Sequence, residues 1–386
     1  MREHVRLTYG PHAIELEFAG PAAEVAEFLE AYLTPFFGVE PAGGLPVAAR
    51  VRVEVGPCPS DAPGFAAAPV FPVDRSKGFL RCDGATVERD GIRWVEIRPH
   101  GATVRIDRSA REVRVWSPTA ERARVPALRV VEDVVLNEVQ RRGGVVVHAS
   151  AVVANGVAVL AVGNKGAGKT SLLCEALHGF SVAKLANDNV CLMPGPDGKV
   201  VARGWPAFFK VSAATAASFP ELAGDFPVGE RATLWDDDAL WQVYEKVALY
   251  PGQGAQRFGA PLAAEAELAA LVFTRFRADA PPGLRREEAE DLPRRLRPFL
   301  QGIGNPNHAE WLGLNPVDPA EVDASLEALL GVSAPPVAVY ELSWAPSLEA
   351  LLGRVPELRP LKKTLRACAV GVAPPDGWPP LPAAAP

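Results

Sequence analysis

The sequence lacks the excess of positive charge with which nucleic-acid-binding and membrane-surface proteins attract their ligands. Over 386 residues the formal net charge is −6, so no basic field surrounds the whole molecule. We therefore expect neither nucleic acid nor a membrane among its partners. Any anion-binding site in this chain must be local.

Paired cysteines are lacking as well. The five cysteines are odd in number and scattered, and no two have the C-x-x-C spacing. This excludes a disulfide framework and a structural zinc site, and it fits a reducing compartment. The N-terminal residues alternate charged and apolar side chains instead of forming the apolar stretch of a signal peptide. We therefore expect a cytoplasmic protein.

The sequence also lacks long uninterrupted apolar runs. The most apolar window, residues 145–162, is interrupted by His148, Ser150 and the pair Asn155-Gly156. A membrane-spanning helix needs roughly 20 apolar residues in a row. A membrane span is therefore not expected here.

The pattern along the chain favours an α/β protein with several parts. Residues 1–120 read mainly as strands with one helix at 22–36, which indicates a strand-rich α+β accessory domain. The strands are predicted at 5–8, 14–18, 48–55, 79–87, 93–98, 103–106 and 113–116. We place a catalytic domain at 121–354 and a Pro/Ala-rich tail at 355–386.

The catalytic part begins with alternating elements. The spacing predicts a helix over 120–141, a strand over 157–162, a helix over 169–177 and a strand over 182–192. Further on, a strand at 268–276, a helix at 319–330 and a strand at 337–342 are expected. A strand–loop–helix–strand order of this kind is typical of α/β folds.

A glycine-rich loop joins the strand at 157–162 to the next helix. It satisfies G-x-x-x-x-G-K-[ST], and its residues are Gly163, Asn164, Lys165, Gly166, Ala167, Gly168, Lys169, Thr170 and Ser171. Glycines let backbone N–H groups converge on phosphate oxygens, and the helix N-terminus adds favourable partial charge. Lys169 supplies a full positive charge, and the hydroxyl of Thr170 is a ligand for Mg²⁺. We call residues 163–171 the glycine loop and expect it to bind nucleotide phosphates.

Other signatures of phosphate-loop proteins are missing. The strand at 268–276 carries no acidic pair, and neither N-K-x-D nor L-S-G-G-Q occurs. The sequence therefore does not resemble a GTPase or a transporter ATPase, and other polar residues must explain its chemistry.

His148 is the first of these residues. A two-residue hairpin at Asn155-Gly156 pairs residues whose numbers sum to 311, which sets His148 opposite Gly163. The imidazole would then lie where a γ-phosphate meets its acceptor. The alternative is a buried ring that is hydrogen-bonded to backbone at a strand end.

Asp188 is the second polar residue that could explain the chemistry. A strand that follows a crossover helix lies near the strand that feeds the helix, so Asp188 is expected to approach the glycine loop. Its carboxylate could hold Mg²⁺ or accept a proton from a hydroxyl. Alternatively, Asn187, Asp188 and Asn189 simply form a turn.

Together these residues resemble a known family. The order His148-Ala-Ser, hairpin, glycine loop and Ala186-Asn-Asp-Asn-Val190 is similar to the catalytic domain of bacterial HPr kinase/phosphorylase and related proteins. The close match spans residues 145–192. It implies an HPr-kinase-like fold, ATP and Mg²⁺ as cofactors, and phosphoryl transfer to a hydroxyl.

Carried onto this sequence, the resemblance implies three catalytic residues: Lys169 on the phosphates, Asp188 as general base and His148 beside the transferred group. Thr170 and Asp188 would ligate Mg²⁺. The acceptor would be a hydroxyl-bearing peptide, protein or small molecule, and family members form homo-oligomers.

The sequence also departs from the family. Asn187 replaces the first of its paired aspartates, and Asn164-Lys165 replace an acidic residue and a serine. These changes put a reverse phosphorylase reaction in doubt. The alternative function is a nucleotide-binding regulatory or scaffold protein without phosphotransfer, for which Asn187 is the hint.

The remaining polar clusters have simpler interpretations. Lys246 and Arg257 could reach the phosphates, but we expect a solvated loop. Asp236, Asp237 and Asp238 read as a helix start, His308 as part of a turn, and Arg294, Arg295 and Arg297 as an exposed charged face.

Overall fold

The chain forms two compact units of mixed α/β structure. A computed structural model describes residues 4–34, 36–40, 44–66, 68–74, 82–212, 215–216, 218–222, 246–276, 283–288, 291–303, 311–314, 316–331 and 337–344. The first unit comprises the chain up to Gly144 together with Gln301–Ser325. The second comprises Val145–Leu300 together with the described residues from Leu326 onward.

The first unit is built on a nine-stranded sheet. Its strands are β1 (His4–Tyr9), β2 (His12–Ala19), β3 (Gly38–Glu40), β4 (Val47–Val55), β5 (Val70–Asp74), β6 (Cys82–Arg89), β7 (Ile92–Ile97), β8 (Ala102–Asp107) and β9 (Glu112–Ser117). Their order is β3-β1-β2-β4-β9-β8-β7-β6-β5. Only the β2–β4 and β4–β9 pairs in this order are parallel. The expectation of a strand-rich first part agrees with this sheet.

Two helices pack together and bury apolar stripes in the first unit. They are α1 (Ala23–Leu33) and α2 (Ala120–Arg141). Thr119 caps α2 by accepting a hydrogen bond from the backbone N–H of Arg122, which satisfies one of the free donors of the first turn. Val125, Leu128 and Val139 recur at helical spacing and are buried.

The second unit contains the glycine loop. Its helices are α3 (Lys169–Gly179), α4 (Gln253–Arg257) and α5 (Leu292–Leu296), and α6 (Pro319–Leu330) crosses the boundary between the units. Its strands are β10 (Val145–Ala154), β11 (Val157–Val162), β12 (Ala183–Ala186), β13 (Asn189–Pro194), β14 (Val200–Gly204), β15 (Phe209–Ser212), β16 (Lys246–Leu249), β17 (Glu265–Phe276), β18 (Gly283–Glu287) and β20 (Ala338–Trp344). The short β19 (Leu300–Gln301) lies at the boundary.

Five strands of the second unit close on themselves. The order β11-β10-β13-β14-β17 is antiparallel throughout, and β17 pairs parallel with β11 to complete the ring. β20 and β18 extend the sheet from β17. β15 and β16 form a separate two-stranded antiparallel sheet. An apolar core packs α3 against β10, β11 and β17, with Leu173 and Leu177 almost fully buried.

Two details differ from the sequence-based expectations. The division falls after Gly144 instead of at residue 120, because α2 packs on β2, β4 and β9 of the first unit. The strand expected over 182–192 is broken at Asn187-Asp188 into β12 and β13. The tail at 355–386 lies outside the described residues, and the accessory and catalytic roles of the two parts stay predictions.

Among the described residues, no helix has the length and apolar character that crossing a membrane requires.

Candidate functional site

A tight hairpin sets the position of His148. Asn155 and Gly156 have φ values of 49° and 81°, the left-handed conformation that a type I′ turn demands. The β10–β11 ladder pairs Ala154 with Val157 and ends with Ala149 opposite Val162. His148 and Gly163 are the next residues on the two strands, so the predicted register is confirmed.

The glycine loop requires glycine at three positions. A Cβ on Gly163 would lie 2.6 Å from Thr274 Oγ1 and 2.7 Å from the Thr274 backbone oxygen, because the end of β17 packs against the start of the loop. Gly166 and Gly168 have φ values of +83° and +87°, a region that side chains disfavour. The backbone therefore curves tightly before α3 begins at Lys169.

Lys169 lies inside this curve. Its Nζ donates hydrogen bonds to the backbone oxygens of Gly163 at 2.7 Å and of Asn164 at 3.1 Å. The pKa of Lys169 is lowered to about 8, mainly by burial; the charge of Asp188 opposes this shift and that of Lys246 adds to it. The ammonium group is therefore held in the loop by acceptors that phosphate oxygens can replace.

The other residues of the loop differ in exposure. Asn164, Lys165 and Gly166 are exposed, whereas Ala167 and Ser171 are buried. Thr170, the second residue of α3, is partly exposed. Its hydroxyl therefore starts from the N-terminal end of the helix, where anions such as phosphate are favoured.

His148 and Asp188 contact each other directly. The imidazole Nδ1 lies 2.9 Å from the backbone oxygen of Asp188 and 3.2 Å from its Oδ1. Because a carbonyl oxygen can only accept, Nδ1 carries the hydrogen. The Asp188 side chain is 48% exposed and that of His148 is 30% exposed. The alternative interpretation of His148, a buried ring hydrogen-bonded to backbone, is thus half correct, because the backbone hydrogen bond is present but the ring is partly exposed.

The environment of Asp188 favours its ionised form. Desolvation raises the pKa of this carboxyl group, but the hydrogen bond from His148 and the positive charges of His148, Lys210 and Lys169 outweigh it. The pKa of Asp188 therefore lies below its usual value. The carboxylate is an ionised acceptor that remains accessible from solvent.

Pairing with β10 brings Asp188 to this place. The backbone oxygen of Asp188 accepts a hydrogen bond from the N–H of Ala149 at 3.0 Å, and His148 pairs with Asn189. β12 and β13 are antiparallel to β10, which lies between them and β11. The crossover argument predicted that this strand lies near the strand that feeds the helix, and β12 and β13 do run parallel to β11, one strand away from it.

Asn187 has a structural role in the same turn. It is only 7% exposed, and its Nδ2 donates to the backbone oxygen of Phe208 at 2.9 Å. The hydroxyl of Ser150 donates to the Asn187 backbone oxygen at 3.1 Å. An aspartate at position 187 could not donate to Phe208 when ionised. The asparagine therefore ties the Asp188 turn to the residue before β15.

Sequence reasoning missed the contribution of the β15–β16 sheet. Lys210 of β15 acts electrostatically on Asp188, and Lys246 of β16 interacts with Asp188, Lys165 and Lys210. Lys246 is exposed, as expected, but it is the first residue of a strand and not part of a loop. Lys165, Lys169, Lys210 and Lys246 are called the lysine cluster below.

Hydroxyl groups connect this two-stranded sheet to the glycine loop. Ser212, the last residue of β15, lies with its Oγ 3.0 Å from Thr215 Oγ1. Thr215 Oγ1 in turn lies 3.0 Å from the Oγ of Ser171 in α3. Ser171 and Thr215 are both buried, so these bonds are shielded from water and hold β15 beside the loop.

The structure describes only some of the other candidate residues. Arg257 is half-buried at the end of α4, and it is not among the groups that shift the pKa of Asp188. Arg294 pairs with Asp291 at the surface, and Arg295 pairs with Glu287, which agrees with a charged face. Asp236, Asp237, Asp238 and His308 lie outside the described residues. Within the described part of the chain, no group of three or more His, Cys, Asp or Glu side chains could hold a metal ion.

Comparisons with known proteins add little to this description of the site. No family model matches the chain, and no curated protein matches it. Among solved structures, the Hpr(Ser) kinase/phosphatase from Coxiella burnetii is similar at 11% identity and a TM-score of 0.27, covering 53% of this chain and 89% of that chain. A likeness of this strength supports no conclusion about activity, which we argue from the site geometry alone.

Proposed function

We propose that the chain is an ATP-dependent phosphotransferase that moves the γ-phosphoryl group to a hydroxyl of a peptide, a protein or a small metabolite. One observation carries the proposal: an accessible carboxylate, Asp188, is held ionised by His148 and acts electrostatically on the lysine of a glycine loop. A phosphate-binding loop by itself fits any nucleotide-binding protein. An ionised acceptor beside it fits transfer to an O–H group.

The residues present fit Mg²⁺ bound together with a nucleotide. Mg²⁺ takes one or two carboxylates and completes its shell with phosphate oxygens and water. Asp188 offers the carboxylate and Thr170 the hydroxyl, and both are at least partly exposed. A bound Mg²⁺ would neutralise charge on the phosphate oxygens.

In the proposed reaction, a residue of the chain itself accepts the proton that the acceptor hydroxyl releases. The acceptor oxygen forms a bond to the γ-phosphorus while the bond from that phosphorus to the bridging oxygen breaks, and ADP leaves. The hydroxyl proton passes to Asp188. Because the pKa of Asp188 is low, this carboxylate takes the proton late, when the acceptor oxygen has become acidic.

His148 acts as a positioning residue in this scheme. Its Nδ1–H is directed at the backbone oxygen and Oδ1 of Asp188, so it orients the base and keeps it ionised. Lys169 and the glycine-loop amides hold the β- and γ-phosphates in line with the acceptor.

The test uses ATP labelled on the γ-phosphate with a panel of hydroxyl-bearing acceptors. Asp188→Asn should bind ATP within about threefold of the wild type yet transfer at least roughly 100-fold more slowly. Lys169→Ala should lose nucleotide affinity itself. Asp197→Asn, in an exposed turn, is the matched control. Transfer by Asp188→Asn at the wild-type rate, or a wild type that does not bind ATP, would refute the proposal.

A further inference from the structure

The β15–β16 sheet carries two lysines that phosphate binding by the glycine loop does not require. Ser212 lies directly opposite Lys246, and Lys210 precedes Ser212 by two residues. Alternate residues of a strand, and residues directly opposite across a ladder, share one face of the sheet. Lys210, Ser212 and Lys246 therefore share a face, and the hydroxyl chain from Ser212 through Thr215 to Ser171 turns that face toward the glycine loop.

Hydrogen bonds fix both ends of β15 relative to the site. At its start, the backbone oxygen of Phe208 accepts from Asn187, the neighbour of Asp188. At its end, Ser212 reaches α3 through Thr215. The backbone on either side of Lys210 is thus attached to the two segments that carry the proposed base and the proposed phosphate site.

The site carries more lysine side chains than a glycine-rich loop needs to bind one triphosphate. Such a loop binds phosphates with one lysine, backbone N–H groups and a helix N-terminus. Here Lys169, Lys210 and Lys246 each interact electrostatically with a single carboxylate, Asp188, and Lys165 interacts with Lys246. Desolvation lowers the pKa of Lys246, Asp188 opposes this, and Lys165 and Lys210 lower the pKa further. A bound anion would relieve this repulsion between like charges.

Both lysines interact electrostatically with the proposed base. Lys246 acts on Lys169 and on Asp188, and Lys210 acts on Asp188 and on Lys246. Because β15 is attached at its start to the neighbour of Asp188 and at its end to α3, the face that carries the two lysines lies beside both the proposed base and the glycine loop.

We propose, on the basis of the proposed function, that Lys210 and Lys246 form an acceptor subsite for a negatively charged group, a carboxylate or a phosphate, next to the hydroxyl that is phosphorylated. The favoured acceptors are thus anionic hydroxyl compounds. The two lysines are specificity-determining residues for the acceptor and do not contribute to nucleotide affinity.

The test compares matched acceptors on the full chain saturated with Mg²⁺ and β,γ-imido-ATP. Glycerol, glycerate and glycerol 3-phosphate share a hydroxyl and differ in the neighbouring group, so they separate neutral, carboxylate and phosphate acceptors. Binding is followed by calorimetry and ligand-observed NMR. We expect glycerate or glycerol 3-phosphate to bind at least tenfold more tightly than glycerol, and the tighter of the two identifies the preferred anion.

Variants assign this preference to the two lysines. Lys210→Gln and Lys246→Gln should each reduce the preference for the anionic compound over glycerol at least fivefold. The affinities for imido-ATP and ADP should stay within threefold of the wild type. Lys199→Gln is the matched control, because Lys199 is an exposed lysine of the same unit that pairs with Glu267. Lys210→Arg should restore the preference, since it restores the charge.

Three outcomes overturn the subsite. The first is that the wild type binds all three compounds equally or binds none of them. The second is that the preference for an anionic compound survives in both Gln variants. The third is that the Gln variants lose affinity for imido-ATP but keep their affinity for ADP. The last result would assign the lysines to the γ-phosphate. A wild type that binds no imido-ATP would refute the proposed function as well, whereas normal nucleotide binding without an anion preference would refute the subsite alone.

Discussion

Lys184 should make the stability of this protein depend on pH in a way that one substitution removes. The side chain is fully buried, its Nζ donates to the backbone oxygen of Pro251 at 3.0 Å, and it lies 5.8 Å from the centre of the Phe209 ring. Desolvation lowers the pKa of Lys184 from 10.5 to about 7. The substitution to test is Lys184→Met, which keeps the chain length and removes the titrating group.

The sign and size of the effect follow from proton linkage. Between pH 7 and 10.5 the unfolded chain holds a proton on Lys184 that the folded protein has released, so the free energy of unfolding rises with pH. The slope from this group approaches about 1.4 kcal/mol per pH unit. From pH 7 to 9.5 the wild type should therefore gain roughly 3 kcal/mol relative to Lys184→Met. Loss of the bond to Pro251 adds a nearly constant offset of about 1 kcal/mol.

Urea unfolding followed by circular dichroism, at half-unit steps from pH 6 to 9.5, measures this difference. Comparing the variant with the wild type at each pH cancels the other groups that titrate in this range, Lys169 among them. Lys199→Met is the control, since the ion pair with Glu267 raises the pKa of Lys199. Parallel stability curves for the wild type and Lys184→Met would refute the reasoning, because they would mean that Lys184 stays charged in the fold.

Three further predictions concern the candidate site. Asn187→Asp should lower the free energy of unfolding by roughly 1–3 kcal/mol at pH 7, since a buried carboxylate would replace the donor to the carbonyl before β15; urea unfolding measures it. Gly163→Ala should weaken ATP binding roughly tenfold, about 1.4 kcal/mol by calorimetry, because the added Cβ would meet Thr274. His148→Ala should raise the pKa of Asp188, since a hydrogen bond that lowers it is lost; a carbon-13 NMR titration of metal-free protein measures the change.

The two predictions on stability and on ATP affinity each have a matched control. Asn187→Ala removes the donor without adding charge, so it should cost less than Asn187→Asp. Gly44→Ala places a Cβ where no atom lies within 4 Å and should leave ATP affinity unchanged. An Asn187→Asp protein as stable as the wild type, a Gly163→Ala protein with full affinity, or an unmoved Asp188 titration would contradict the respective argument.

The sequence predicted the parts of the site that depend on local geometry. Asn155-Gly156 allows one tight turn, so the register that carries His148 to Gly163 could be worked out from residue numbers. The glycine loop and the start of α3 followed from a motif whose backbone conformations need glycine. The proximity of Asp188 was also expected, although β10 brings it there and not a neighbouring parallel strand.

Long-range pairings could not be predicted in this way. Ser212 meets Lys246 across 33 intervening residues, and β17 closes the ring by pairing with β11 over a much longer stretch, with Val157 opposite Glu267. Such pairings depend on tertiary context and leave no local pattern. Lys210 therefore attracted no notice, and Asn187 was interpreted only as a replacement for the first of the family's paired aspartates. Its bond to Phe208 gives this asparagine a structural role that the sequence did not indicate.

The strand that bears His148 should be among the last parts of the protein to exchange its amide hydrogens with solvent. β10 pairs with β11 along one edge and with β12 and β13 along the other, whereas β15 and β16, within the described part of the chain, pair only with each other. Opening β10 requires breaking two ladders, and opening β15 requires breaking one. The strand that carries His148 thus belongs to the slow-exchanging part of the fold, and the strands that carry Lys210 and Lys246 should exchange their amide hydrogens sooner.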